Sequence, residues 1–338
     1  MISRVNDRHR YLSIFFSQKK HSNTNKKMIF PKGRWPAGYS VFTMPERILL
    51  GKQPDRDFLL DKVRKLHRAA NDGKNIWLDF SATQKVYTHG MLYFYAEISN
   101  MQNLYPKFRI RCNESRNTKV NHVLDQIGLF ALCKHGFTPQ REYEDVVHWR
   151  AVKGIKVIGK AFDSIVDPDL DLPDLPDDLD IFGACVEATK NAFIHAYIEE
   201  RQLSAVANDQ TAWWMFSQIK DGKITVAICD LGIGIPGTLP KTNENMFMKV
   251  RKAIKGTIDA HLIENAILTP SSRTRKGYRG NGLKKIAKIA MDDSRASLVI
   301  HSGRGYVEIM KGHWNKTNFT QKFPGTLVAW KLPLEKQK

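Results

Sequence analysis

The sequence predicts an α/β protein built from two units. Short apolar runs alternate with helix-spaced apolar residues between 58 and 131, and a Pro- and Asp-rich stretch at 167–180 then interrupts the pattern. Beyond that stretch, helix-period segments flank a strand pair. Strands alternating with helices point to α/β architecture.

In chain order, residues 1–35 read as a basic, poorly ordered arm: residues 1–34 carry nine Lys or Arg against Asp7 alone, and 17–27 is a polar run. The first unit covers 36–150. Residues 58–70 repeat apolar side chains at helical spacing, and 75–80 is a short buried strand. Residues 90–98 return to helix, 108–112 to strand and 120–131 to helix.

Residues 151–180 form a connecting strand and an acidic, Pro-rich junction, where proline prevents continuous helix and repeated aspartate discourages packing. Its last aspartates suit the N-terminus of the helix that follows. The second unit covers 181–334. Within it 213–219 and 223–228 flank Lys220-Asp221-Gly222 and read as a hairpin. Trp213 and Trp214, adjacent on a strand, are expected to face a core and a rim.

Three short motifs in the second unit carry chemistry. In Glu187-x3-Asn191-x3-His195 a carboxylate and a carboxamide fall one helical turn apart, on one face. An Asn oxygen can ligate a hard divalent cation, and a Glu beside it can orient or deprotonate a nucleophile. His195 reads as a packing residue rather than a catalytic one.

The run 224–229 makes Asp230 the end of a strand, and Gly232 and Gly234 then turn the chain and let backbone approach a flat ring or a phosphate. Gly280-Asn281-Gly282 precedes an apolar-periodic helix from Leu283 onward, whose free N–H groups can receive phosphate oxygens.

This ordered set, with Gly325-Thr326 before the last strand, resembles the Bergerat-fold (GHKL) ATP-binding family over about residues 176–334. Residues 187–197 look most like the corresponding box of anti-sigma-factor serine kinases. The resemblance implies an α/β sandwich that binds ATP and Mg²⁺. It makes Asn191 the Mg²⁺ ligand, Glu187 the general base, and Asp230 the acceptor for the adenine amino group.

By the same resemblance Gly232 and Gly234 pass under the base, Gly280, Asn281 and Gly282 cradle the phosphates, and Thr326 supports Asp230 through a water. Residues 237–279 are expected to include a mobile lid. Arg273, Arg275, Lys276 and Arg279 in it are candidate phosphate clamps, or simply cations of a solvated loop.

The first unit, over about 40–140, resembles a STAS-like domain, on Leu78-Asp79-Phe80-Ser81, Thr88-His89-Gly90-Met91 and the later helix with Val123-Leu124 and Ile127-Gly128-Leu129. In that family a serine just before the glycine is phosphorylated by a Bergerat-fold kinase. Here Thr88 and His89 occupy those two positions, so Thr88 is left as the hydroxyl in question.

The resemblances together imply a Mg²⁺-dependent ATPase or serine/threonine protein-kinase-like switch that couples nucleotide state to a STAS-like module. Two other readings stand beside it: a non-catalytic adapter gated by ATP, and a nucleic-acid-associated ATPase of the same fold.

The formal charge of +19 over 338 residues bears on partners. A protein partner is expected. The basic arm can reach nucleic acid or another polyanion, or can serve solubility. A homodimer is left open, and no histidine-kinase dimerisation hairpin is evident. Four scattered cysteines without CxxC spacing argue against a disulfide framework or zinc site and fit a reducing cytoplasm. The longest early apolar stretch, 11–16, is too short to span a membrane.

Overall fold

The computed structural model describes residues 36–139, 143, 146, 150–154, 180–197, 212–269 and 282–334. It is a mixed α/β protein containing both parallel and antiparallel sheets. The basic arm and nearly all of the acidic junction lie outside the described residues.

The first unit contains β1 (Tyr39–Thr43), β2 (Arg47–Ile48), α1 (Asp55–Asn71), β3 (Asn75–Asp79), β4 (Lys85–Val86), α2 (Thr88–Leu104), β5 (Ile110–Asn113), α3 (Thr118–Gln126) and α4 (Leu129–Leu132). Strands β1, β3 and β5 pair in parallel in that order, and β2 pairs with β4.

Helix α1 buries Leu59, Leu60, Val63, Leu66 and Ala70 along one stripe, with Asp55 and Asp57 in its first turn and Arg68 in its last, as the helix dipole favours. In β3, Ile76, Trp77 and Leu78 are all buried, as expected of a parallel strand covered on both faces. Asn117 caps α3, its side chain accepting from the Lys119 N–H at 3.0 Å.

The second unit takes in the connecting strand β6 (Arg150–Gly154), which joins its sheet, and contains α5 (Ile181–Asn191) running into a π-turn (Ala192–Ala196), β7 (Trp213–Lys220), β8 (Lys223–Asp230), α6 (Ile235–Thr242), α7 (Glu244–Ala253), α8 (Asp259–Leu268), α9 (Gly282–Asp292), β9 (Ser297–Met310) and β10 (His313–Pro333). Its five strands run β6-β7-β8-β10-β9, all antiparallel. Asp221 and Gly222, both with positive φ, close the expected hairpin between β7 and β8.

Helices α5, α8 and α9 cover one face of this sheet. Trp213, Met215, Val226, Ile228, Val328 and Trp330 point into that layer. The alternate residues Trp214, Phe216, Ala227, Cys229, Leu327 and Ala329 point the other way and join the core of the first unit.

Helix α2 lies at this seam, so its consecutive residues Met91, Leu92, Tyr93 and Phe94 are all buried, as for a helix enclosed on every side. Tyr93 packs on Phe323 and Tyr95 on Phe216, with ring centroids 5.0 and 5.4 Å apart. Trp213 and Trp214 are therefore both core positions, neither at the expected rim, because the first unit covers the second face.

The seam carries a cluster of basic groups. His89 of α2 lies 5.9 Å from His301 of β9, ring to ring, and His301 Nδ1 is 3.4 Å from the buried Arg56 guanidinium of α1. Burial pushes His89 down to about 4 from an ordinary 6.5, and burial, then the neighbouring Arg56 and His89, hold His301 well below its ordinary value.

Folded, both rings are neutral, whereas the unfolded chain protonates them near pH 6.5. Their contribution to stability is thus complete above about pH 6.5 and declines as pH falls toward 4. Urea unfolding midpoints followed across that window are expected to fall with acid, and less steeply in His89→Phe; equal slopes would exclude the seam histidines as the cause.

Candidate functional site

The site is assembled from the two ends of α5, the turn after β8, the start of α9 and the close of β10. Asp180 caps α5: its Oδ1 accepts from the Gly183 N–H at 2.7 Å, and its Oδ2 lies 3.1 Å from Lys285 Nζ on α9. Helices α5 and α9 pack side by side through Ala184, Ala188, Ile286 and Ala290, and this exposed ion pair spans them.

The consequence is felt about two and three turns later. A Cβ at Gly282 would stand 2.9 Å from Glu187 Oε2 and 3.5 Å from both Asn191 amide atoms. The first turn of α9 therefore sits against the carboxylate and carboxamide together, with no room for a side chain between them.

Glu187 is partly exposed, with Lys190 Nζ 3.6 Å from its Oε1. Asn191 is the more telling residue. Its Nδ2 is buried and has no hydrogen-bond partner among the described residues, which is costly for an amide unless a group beyond those residues satisfies it. The two ends of a carboxamide are nearly identical in shape. Turning Asn191 over places an oxygen acceptor at the orphan position, the donor type a hard divalent cation takes.

Asp230 ends β8 and is buried. Its Oδ1 accepts from the N–H of Gly232 at 2.9 Å and from that of Thr326 at 3.2 Å, Thr326 being its register partner on β10. Gly232 is required by close approach: a Cβ there would lie 2.0 Å from the Ala196 carbonyl oxygen. That carbonyl accepts from the Ile233 N–H at 2.9 Å, so the π-turn following Asn191 is bonded directly to the turn following Asp230. A π-turn is a recurrent feature of functional helices, and here it carries the chain from one half of the site to the other. Gly234 has φ +78°, where a side chain would also meet Ser302 Oγ.

Ser302 and Tyr197 tie these turns together, and neither is given a role by its type or spacing. Ser302 Oγ accepts from the Ile235 N–H at 2.8 Å and lies 3.0 Å from the Gly325 carbonyl and 3.1 Å from Thr326 Oγ1. The Tyr197 hydroxyl accepts from the Leu231 N–H at 3.0 Å and donates to the Ala212 carbonyl. The one hint of Ser302 in the sequence is a polar pair, His301-Ser302, interrupting an apolar strand before a glycine.

The structure thus brings together Glu187, Asn191 and Gly282 at one end and Asp230, Gly232, Gly234 and Thr326 at the other. Arg279, Gly280 and Asn281, and with them Arg273, Arg275 and Lys276, lie outside the described residues. His195 is exposed on the π-turn rather than packed, because the widened turn departs from the straight helical face on which its position was read.

The first part of the expected lid is three packed helices, burying Leu239, Val250, Leu262, Ile263 and Ile267; 270–281 lies outside the described residues. Thr88 begins α2 at the seam, its hydroxyl donating to Gln218 Oε1 at 2.9 Å.

All four cysteines are free and buried. Among the described residues no group of three His, Cys, Asp or Glu side chains gathers to hold a metal, and no helix is long and apolar enough to cross a membrane. Neither a protein-family model nor a curated protein matches this chain.

Proposed function

We propose that the chain binds ATP with Mg²⁺ between α5, the turn after β8 and the start of α9, as a Bergerat-fold ATPase or serine/threonine protein-kinase-like switch. The observation that carries the reading is the orphaned Asn191 carboxamide, set beside Glu187 and against the first turn of a helix. A carboxamide oxygen, a carboxylate and the N-terminus of a helix at one point suit a metal-bound polyphosphate.

Each residue then has a task. Asn191 would hold Mg²⁺, which when bound neutralises charge on the phosphates. Glu187 takes the proton from the attacking hydroxyl, whether of water or of a protein side chain. The first N–H groups of α9 receive phosphate oxygens.

At the other end, Asp230 accepts from the amino group of adenine. Its Oδ1 is already engaged by the Gly232 and Thr326 N–H groups, which hold the carboxylate in place. The seam between the sheet and α2 offers the route by which nucleotide state reaches the first unit, whose STAS-like reading belongs to the same proposal.

Calorimetric titration of the full chain tests it. ATP is expected to fill one site, more tightly with Mg²⁺ than without, and GTP is expected to be rejected because guanine presents a carbonyl where Asp230 needs a donor. Absence of ATP binding in both conditions would overturn the reading.

A further inference from the structure

The strand that closes the base end of the pocket is gripped from the first unit. Between Asn318 and Thr326 the pairing of β10 with β9 shifts register twice, so this stretch is irregular and leads directly into Gly325 and Thr326. Helix α1 and the residues just before it hold it at several points. The Arg56 guanidinium stacks 4.3 Å from the Phe319 ring centroid and 5.8 Å from that of Phe323.

Its Nη2 reaches the carbonyls of Gln321 and Gly303, each at 3.5 Å. Arg64 Nη2 donates to Gln321 Oε1 at 2.7 Å, and Gln53 Nε2 donates to Thr320 Oγ1 at 3.1 Å. Arg56 is wholly buried, and burial lowers its pKa to about 10 against the pull of Asp57. A charge held that deeply, at a desolvation cost, ties α1 to the irregular stretch of β10, beside the ladders that pair β10 with β8 and β9.

The grip also reaches β9. Arg56 meets His301 on one face of that strand, while the next residue, Ser302, turns to the opposite face and bonds Gly325 and Thr326. Arg56 and the pocket floor are therefore two sides of the same pair of strands.

We propose that Arg56 is a positioning residue for the base end of the nucleotide site, acting through the irregular stretch of β10 on Gly325, Thr326 and so on the carboxylate of Asp230. This rests on the ATP reading above and adds its control by the first unit. Arg56 contacts none of Glu187, Asn191 or Gly282 among the described contacts, so the phosphate end should be indifferent to it.

The test is a comparison of two ligands on the folded full chain: MgADP, which needs the base end, and magnesium tripolyphosphate, which does not. Arg56→Lys keeps the charge and loses the planar fork and stacking. It is expected to weaken MgADP about ten-fold, the equivalent of one hydrogen bond to a charged group, while tripolyphosphate binding stays within about two-fold.

Should Arg56→Lys fail to fold, Arg64→Ala carries the test on a partly exposed side chain, with an expected loss of about three-fold for MgADP alone. Wild-type affinity for MgADP in the folded variant, or an equal loss for both ligands, overturns the inference and leaves the ATP reading standing. A wild-type chain that binds no adenine nucleotide overturns both.

Discussion

Glu187→Gln is expected to leave MgATP affinity within about two-fold while slowing turnover by at least about a hundred-fold, the usual scale of a general base. The amide has the shape of the carboxylate, so it should fit beside the start of α9 where Gly282 leaves no spare room. It cannot accept the proton from the nucleophile. Titration calorimetry and single-turnover phosphate release measure the two quantities separately. Normal turnover in the folded variant would remove Glu187 from the reaction, and loss of binding in step with turnover would make it a ligand contact instead.

Asp230→Asn should act at the other end and on the other quantity. Its Oδ1 receives two backbone N–H groups, and an Asn oxygen can receive both, so the turn and the pairing with β10 are preserved. The amide NH₂ would then occupy the second position and, on the ATP reading, face the adenine amino group donor to donor. Loss of an acceptor of full charge costs about 1.5–3 kcal/mol, or about ten- to a hundred-fold in ATP affinity. An unchanged titration curve would show that the base does not lie at Asp230.

Much of this was legible in the sequence because it depends on local signals. The apolar run ending at Asp230, the Asp221-Gly222 turn and the one-turn spacing of Glu187 and Asn191 each fix a structure within a few residues. What was hidden depends on who covers whom.

The apolar residues Leu262, Ile263 and Ile267 sit in a segment that looks like a lid when judged by its place between two motifs, yet they pack against β9 and β10 as ordinary core. Ser302 is one more serine in a strand until Ile235, Gly325 and Thr326 converge on it. Arg56 is a charged residue near the start of an amphipathic helix, and only the aromatic residues Phe319 and Phe323, more than two hundred positions away, explain its burial.

The enclosure of α2 has a consequence for how such a chain can change over time. Met91 and Phe94 on one side and Trp214, Phe216 and Cys229 on the other belong to a single interior. Recombination that replaced the first 150 residues with an unrelated module would leave the sheet's second face bare, and an apolar surface of that kind favours aggregation. The two halves are therefore not interchangeable parts: a volume change on α2 calls for a compensating one on β7, β8 or β10.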